Sequence, residues 1–231
     1  MNNFFKKLTI VSLATLMVIL TTVACSKSYN NIGKNENIKV ASNIDNDTNN
    51  KKRDYIKVYN DTINKMNKGM SGIVTTGDIN LDYLYGMIIH HQGAIEMSEN
   101  LLKYEGQNSQ VKQLAENIIN AQIDSIIKMN AMIDDLSKSP VIDETKEESY
   151  LKEYNKALKN MMDRFSKLEL SENIDRNFLQ GMIIHHQGAI DIVNAVLKYS
   201  DNDDIKAMAK EEAKSQEPQI DEMKKIIDLI R

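Results

Sequence analysis

The four histidines of the chain fall in two adjacent pairs, His90-His91 and His185-His186. Each pair is set in the same ten residues, Gly-Met-Ile-Ile-His-His-Gln-Gly-Ala-Ile, at 86–95 and again at 181–190. Neutral imidazole is a metal ligand as well as an acid-base group. Methionines accompany both pairs: Met87 and Met182 stand three residues before the first histidine, and Met97 stands seven after His90, where the second copy has Ile192. Imidazole with thioether is a soft ligand set, suited to Cu(I) better than to zinc, iron or magnesium. Met129 and Met223, at matching positions downstream, complete the candidate metal set of Met87, His90, His91, Met97, Met129, Met182, His185, His186 and Met223. Met66, Met70, Met132 and Met161 are further possible contributors.

On a helix residues advance about 100° each. Tyr83, Met87, His90, Ala94, Met97 and Leu101 then form one stripe, with His91 on its flank. Phe178, Met182, His185 and Ala189 repeat it. Downstream, Gln122 and Gln216 interrupt apolar stripes at matching positions. A buried amide needs a hydrogen-bond partner, and an imidazole N–H is one, as in the shell around metal-bound histidines. Against this stands the plainer reading that methionine at helical spacing is core filler. A duplicated His-His pair within an apolar stripe is harder to assign to packing, because each buried imidazole must be desolvated.

The repeat extends beyond the ten residues. Tyr59, Ile63 and Met66 match Tyr154, Leu158 and Met161 at an offset of 95. Past a one-residue loss near Gly106, Val111, Ala115, Gln122 and Met129 match Ile205, Ala209, Gln216 and Met223 at 94. Each unit reads as three helices, a short first and two long amphipathic ones. Asp78, Ser171 and Asp203 are expected N-caps, and Thr145 with Glu148 has capping-box spacing. Pro218 is expected to bend the last helix. The expected fold is therefore all-α, with the long helices of the two units packed through their histidine-bearing faces about a pseudo-twofold axis.

The N-terminus points to export. Lys6 and Lys7 precede an apolar run over 8–20, then small residues ending Val23-Ala24-Cys25, the pattern of a secretory signal followed by a lipidated cysteine. Cys25 is the chain's single cysteine, so it forms no internal disulfide. The expected organisation is a signal peptide over 1–24, a lipidated Cys25 with a disordered asparagine-rich tether over 25–52, and helical repeats over 53–138 and 145–231. Of 29 basic residues, loss of Lys6 and Lys7 leaves 27 against 33 acidic ones. That balance argues against nucleic acid as a partner, since phosphate binding needs a basic stripe.

With Met87-x-x-His90-His91-x-x-Ala94-x-x-Met97, and Gln122, Ile126 and Met129 downstream, the chain resembles the bacterial domain of unknown function 305 family. The second unit fits through Met182, His185, His186, Ala189, Gln216, Ile220 and Met223, and departs at Ile192. The resemblance implies a ferritin-like helical bundle, usually exported, and some members of the family are linked to copper. The expected function is an extracytoplasmic, membrane-anchored copper protein of metal storage, delivery or resistance, and not an enzyme. The first alternative is a metal-free structural or interaction module of the cell envelope, its histidines and glutamines fixing helix register. A di-iron oxidoreductase needs Glu-x-x-His on two helices, and no glutamate stands three residues before any histidine.

If the lipid is the anchor, Cys25→Ser moves the protein from the membrane to the soluble fraction. Fractionation after high-salt and carbonate washing checks this, and a variant that stays in the membrane pellet refutes it.

Overall fold

The computed structural model describes residues 37–104 and 106–230, with side chains from residue 49 onward. Six helices and no strand occur among them: α1 (Asn37–Ser71), α2 (Ile79–Lys103), α3 (Ser109–Leu136), α4 (Glu144–Ser166), α5 (Ile174–Tyr199) and α6 (Asp203–Leu229). Residues 41–231 form one compact unit. Residues 1–40 form another, of which only 37–40, at the start of α1, are described. The signal segment, Cys25 and the first part of the tether lie outside the described residues.

Part of the segment expected as tether is helical. Residues 37–52, read as disordered because they lack an apolar period, are helical and continue into the packed part of α1. Once a helix is nucleated, each further residue adds a backbone bond for one residue fixed. Packing from Tyr55 onward therefore supports the turns that precede it.

Short polar side chains begin each of the other helices. Asp78, Asn108, Asp143, Asn173 and Asn202 accept hydrogen bonds from backbone N–H groups in the first turn of α2 to α6. Asp78 is the cap expected from sequence. Ser171, Asp203 and the Thr145–Glu148 box are not the caps. Ser171 instead donates through its N–H and hydroxyl to Asn177 Oδ1, which leaves the cap to Asn173. Pro218 lies within α6, which runs on to Leu229.

The two repeats meet through α2 and α5, with α3 packed on α2 and both α4 and α6 packed on α5. Met66 of α1 lies over Gly93 of α2, and Met161 of α4 over Gly188 of α5. The first helix of each repeat also reaches the other repeat. Tyr154 of α4 lies over Gly86 of α2, and Tyr59 of α1 lies over Gly181 of α5. Tyr154 donates its hydroxyl to the Met70 carbonyl at 3.1 Å, tying α4 to the end of α1. These matched contacts are the pseudo-twofold relation in three dimensions, and the glycines are what permit them.

A methyl group on Gly86 would stand 2.8 Å from the Tyr154 hydroxyl oxygen, and one on Gly181 closer still to Tyr59. Glycine to alanine inside a helix normally stabilises by about 1 kcal/mol. Overpacking a closed core costs about 1–3 kcal/mol, so here the clash wins. Gly181→Ala is expected to lower the urea-unfolding free energy by about 1–2 kcal/mol, with partial recovery when Tyr59→Phe is added. An alanine variant more stable than wild type would contradict this packing.

Candidate metal centre

All four imidazoles are fully buried where α2 meets α5. The His90 and His185 rings stack across the interface with centroids 3.6 Å apart and planes inclined at 34°. His91 and His186, each one residue on and about 100° around its helix, turn towards α6. His91 Nε2–H donates to Glu212 Oε2 at 3.2 Å, and His186 Nε2–H donates to Gln219 Oε1 at 2.6 Å. His185 Nε2–H donates to the His90 carbonyl at 2.9 Å.

Each of these three acceptors is an oxygen, so each ring carries its proton on Nε2 and a lone pair on Nδ1 when neutral. Nδ1 of His91, His185 and His186 is buried with no hydrogen-bond partner, and so are both nitrogens of His90. Five buried ring nitrogens thus stand without a partner, in a molecule where such groups are ordinarily satisfied.

His90, His185 and His186 are neutral at ordinary pH. Burial, reinforced by the neighbouring histidines, holds His90 and His185 well below the usual imidazole range. Burial also brings His186 down to about 4. Burial pushes the Glu212 carboxyl up, but hydrogen bonds from His91, Ser125 and Gln216 outweigh it, leaving the group below the usual range. The Ser125 hydroxyl donates to Glu212 Oε1.

Every methionine of the expected ligand set is buried in the core: Met87 and Met97 on α2, Met129 on α3, Met182 on α5 and Met223 on α6. Met66 and Met161 fall on another side. They cover Gly93 and Gly188, two residues beyond His91 and His186 and so about 200° around the helix. Gln122 and Gln216 are buried, but their side-chain oxygens have no partner, and the imidazoles bond to Glu212 and Gln219 instead.

Glu212 and Gln219 carry functions that the repeat pattern did not reveal. The available signal was a glutamate within the buried stripe Ile205, Ala209, Gln216, Ile220, Met223 of α6, at a position where α3 has Ile118. Among the described residues no three His, Cys, Asp or Glu side chains converge as a ready metal cage. Glu96 is engaged by Thr62 and Lys65, and Asp191 by Arg164. What the site offers is unprotonated imidazole within a thioether-bearing core, which fits a soft, low-coordinate ion.

A family model described as a domain of unknown function (DUF305) matches residues 80–227. The chain belongs to the DUF305 family. Among solved structures, a DUF305 fragment from Deinococcus radiodurans is 22% identical, with a TM-score of 0.47 over 64% of this chain and 95% of that one. CopM in its Cu(I)-bound form is 24% identical, with a TM-score of 0.47 over 64% of this chain and 95% of CopM. CopM in its Cu(II)-bound form is 23% identical, with a TM-score of 0.48 over 66% and 97%. No curated protein matches the chain.

The buried histidines give the metal-free protein a defined pH response. Between the ordinary histidine value of 6.5 and about 4 for His186, the unfolded chain takes up a proton that the folded chain refuses. The His186 contribution is therefore full above pH 6.5 and falls as pH drops through that window, by about 3 kcal/mol. Asp82 acts with the opposite sign. Burial and the neighbouring Glu147 raise its carboxyl from 3.8 to about 7, so its contribution is lost as pH rises towards and through that value. Urea unfolding near pH 4.5, 6.5 and 8 checks both. His186→Gln is expected to flatten the acid limb. Asp82→Asn, which gives the first repeat the residue that the second has as Asn177, is expected to steepen the acid limb, because the opposing Asp82 contribution is lost mostly between its ordinary value of 3.8 and about 7.

Proposed function

We propose that this DUF305 protein is a non-catalytic Cu(I)-binding protein of the cell envelope, exported, lipid-anchored through Cys25, and engaged in copper storage, delivery or resistance. The observation that carries the metal-binding reading is the set of five buried ring nitrogens without partners. Three of the four imidazoles already hold their proton on the far nitrogen and present Nδ1 as a lone pair. An ion bound there would satisfy polar atoms that are otherwise desolvated for nothing. The buried Met87, Met97, Met129, Met182 and Met223 supply thioethers within the same core and make the monovalent, soft oxidation state the preferred one. Copper would be the cargo of the site rather than the agent of a reaction.

One observation favours a second reading. The His90–His185 stack and the His185 bond to the His90 carbonyl join the repeats directly, as a polar device that sets helix register would. The same variants separate the two readings. His90→Ala with His91→Ala is expected to abolish tight Cu(I) binding at the first repeat with helix content retained. His185→Ala with His186→Ala is expected to cost less affinity, because Ile192 already leaves that copy one thioether short. Cu(I) competition against a chromophoric chelator, with far-UV circular dichroism alongside, makes the measurement. Unchanged affinity in both double variants would end the metal reading, and collapse of helix content in either would favour the register role.

A further inference from the structure

The two repeats present their outer histidines to different chemistry. At the pseudo-equivalent positions of α3 and α6, Glu212 corresponds to Ile118 and Gln219 to Ser125. α6 therefore supplies the acceptor for both His91 and His186, a carboxylate for the first and a neutral amide for the second. The carboxylate is itself held. Ser125 of α3 donates to Oε1, and the Gln216 side chain bonds to it from one turn further along α6. Glu212 is 9% exposed, Ser125 8% and Gln216 1%. An apolar core gives a buried carboxylate nothing unless it is paired, and His91, Ser125 and Gln216, from three helices, converge to pair this one.

We infer that Glu212 is the positioning residue of the first-repeat half of the metal site: its carboxylate holds His91 as the Nε2–H tautomer, presents His91 Nδ1 to the ion, and supplies the negative charge that a buried cation requires. Ser125 and Gln216 hold the carboxylate in place. A carboxylate accepting from the remote ring N–H raises the basicity of the other nitrogen and fixes ring orientation. The Gln219 amide orients His186 without the charge. The first half is then the stronger binder for a reason independent of Met97, namely that the charge lies on that side alone. This inference rests on the metal-binding reading for its consequence, though not for the tautomer itself.

Two variants divide orientation from charge. Glu212→Gln keeps an acceptor oxygen and removes the charge, and Glu212→Leu removes both. In 15N-histidine-labelled, metal-free protein, the wild type is expected to show His91 with Nε2 protonated and Nδ1 as the unprotonated nitrogen. Glu212→Gln is expected to keep that pattern and to weaken Cu(I) binding at the first half by about tenfold. Glu212→Leu is expected to lose the pattern at His91 but not at His186, and to weaken Cu(I) binding by about ten- to a hundredfold. Ser125→Ala, which loosens the carboxylate without deleting it, moves affinity the same way by less, and it keeps the test open if Glu212→Leu does not fold. A wild-type His91 protonated on Nδ1, or a His91 spectrum unchanged in Glu212→Leu, overturns the positioning role. Unchanged Cu(I) affinity in both Glu212→Gln and Ser125→Ala overturns the role of the charge. A wild type that binds no Cu(I) overturns the proposed function instead and leaves the histidine spectra to decide the positioning.

Discussion

The burial of four imidazoles between α2 and α5 is the constraint around which the rest of the molecule is arranged. A ring with two polar nitrogens is poorly suited to a helix interface, and the cost of desolvating it is recovered only where each nitrogen finds a partner. Here the rings of His90 and His185 lie face to face across the axis that relates the repeats, and one of them donates to the backbone of the opposite helix. That contact demands a close approach of α2 and α5. The small residues of the motif suit such packing: Ala94 and Ala189 are buried, and the glycines admit Tyr59, Tyr154, Met66 and Met161 from α1 and α4 onto the same two helices.

The remaining polar atoms of the cluster are served from α6, with α3 assisting. An exact duplication would treat His91 and His186 alike, but divergence at four positions has given one a carboxylate and the other an amide. Ser125 no longer faces a histidine as its counterpart Gln219 does, and instead steadies Glu212. The symmetry of the backbone is therefore retained while the electrostatics of the two halves have separated. The same holds at the helix starts. Asp82 in α2 keeps a proton to higher pH beside Glu147, whereas Asn177 in α5 serves the equivalent Ser171 with a neutral amide.

Neutral rings at His90, His185 and His186 and thioethers in the surrounding core suit the proposed binding of a soft ion. Glu96 and Asp191, the carboxylates that follow the two histidine pairs, are engaged with Lys65 and Arg164. A soft monovalent ion adds little charge to an interior of this kind, and the single carboxylate beside His91 is of the matching size and sign.

Much of this was legible in the residues. The identical ten-residue segments, the 95-residue offset and the apolar stripes determined an all-helical chain of two three-helix units joined through their histidine faces, because helical periodicity and duplication are properties of the chain itself. The start of α2 at Asp78 was legible for the same local reason. Sequence patterns did not indicate the helical state of residues 37–52, which lack an apolar period and continue into a helix that packs from Tyr55 onward. Nor did they identify the imidazole partners: Gln122 and Gln216 stand at the expected spacing, yet Glu212 and Gln219 make the bonds. A ring nitrogen meets its partner across an interface, and which residue of α6 faces it depends on the rotation and height of one helix against another. Those are set by how the helices pack against one another, so only the tertiary structure could decide them.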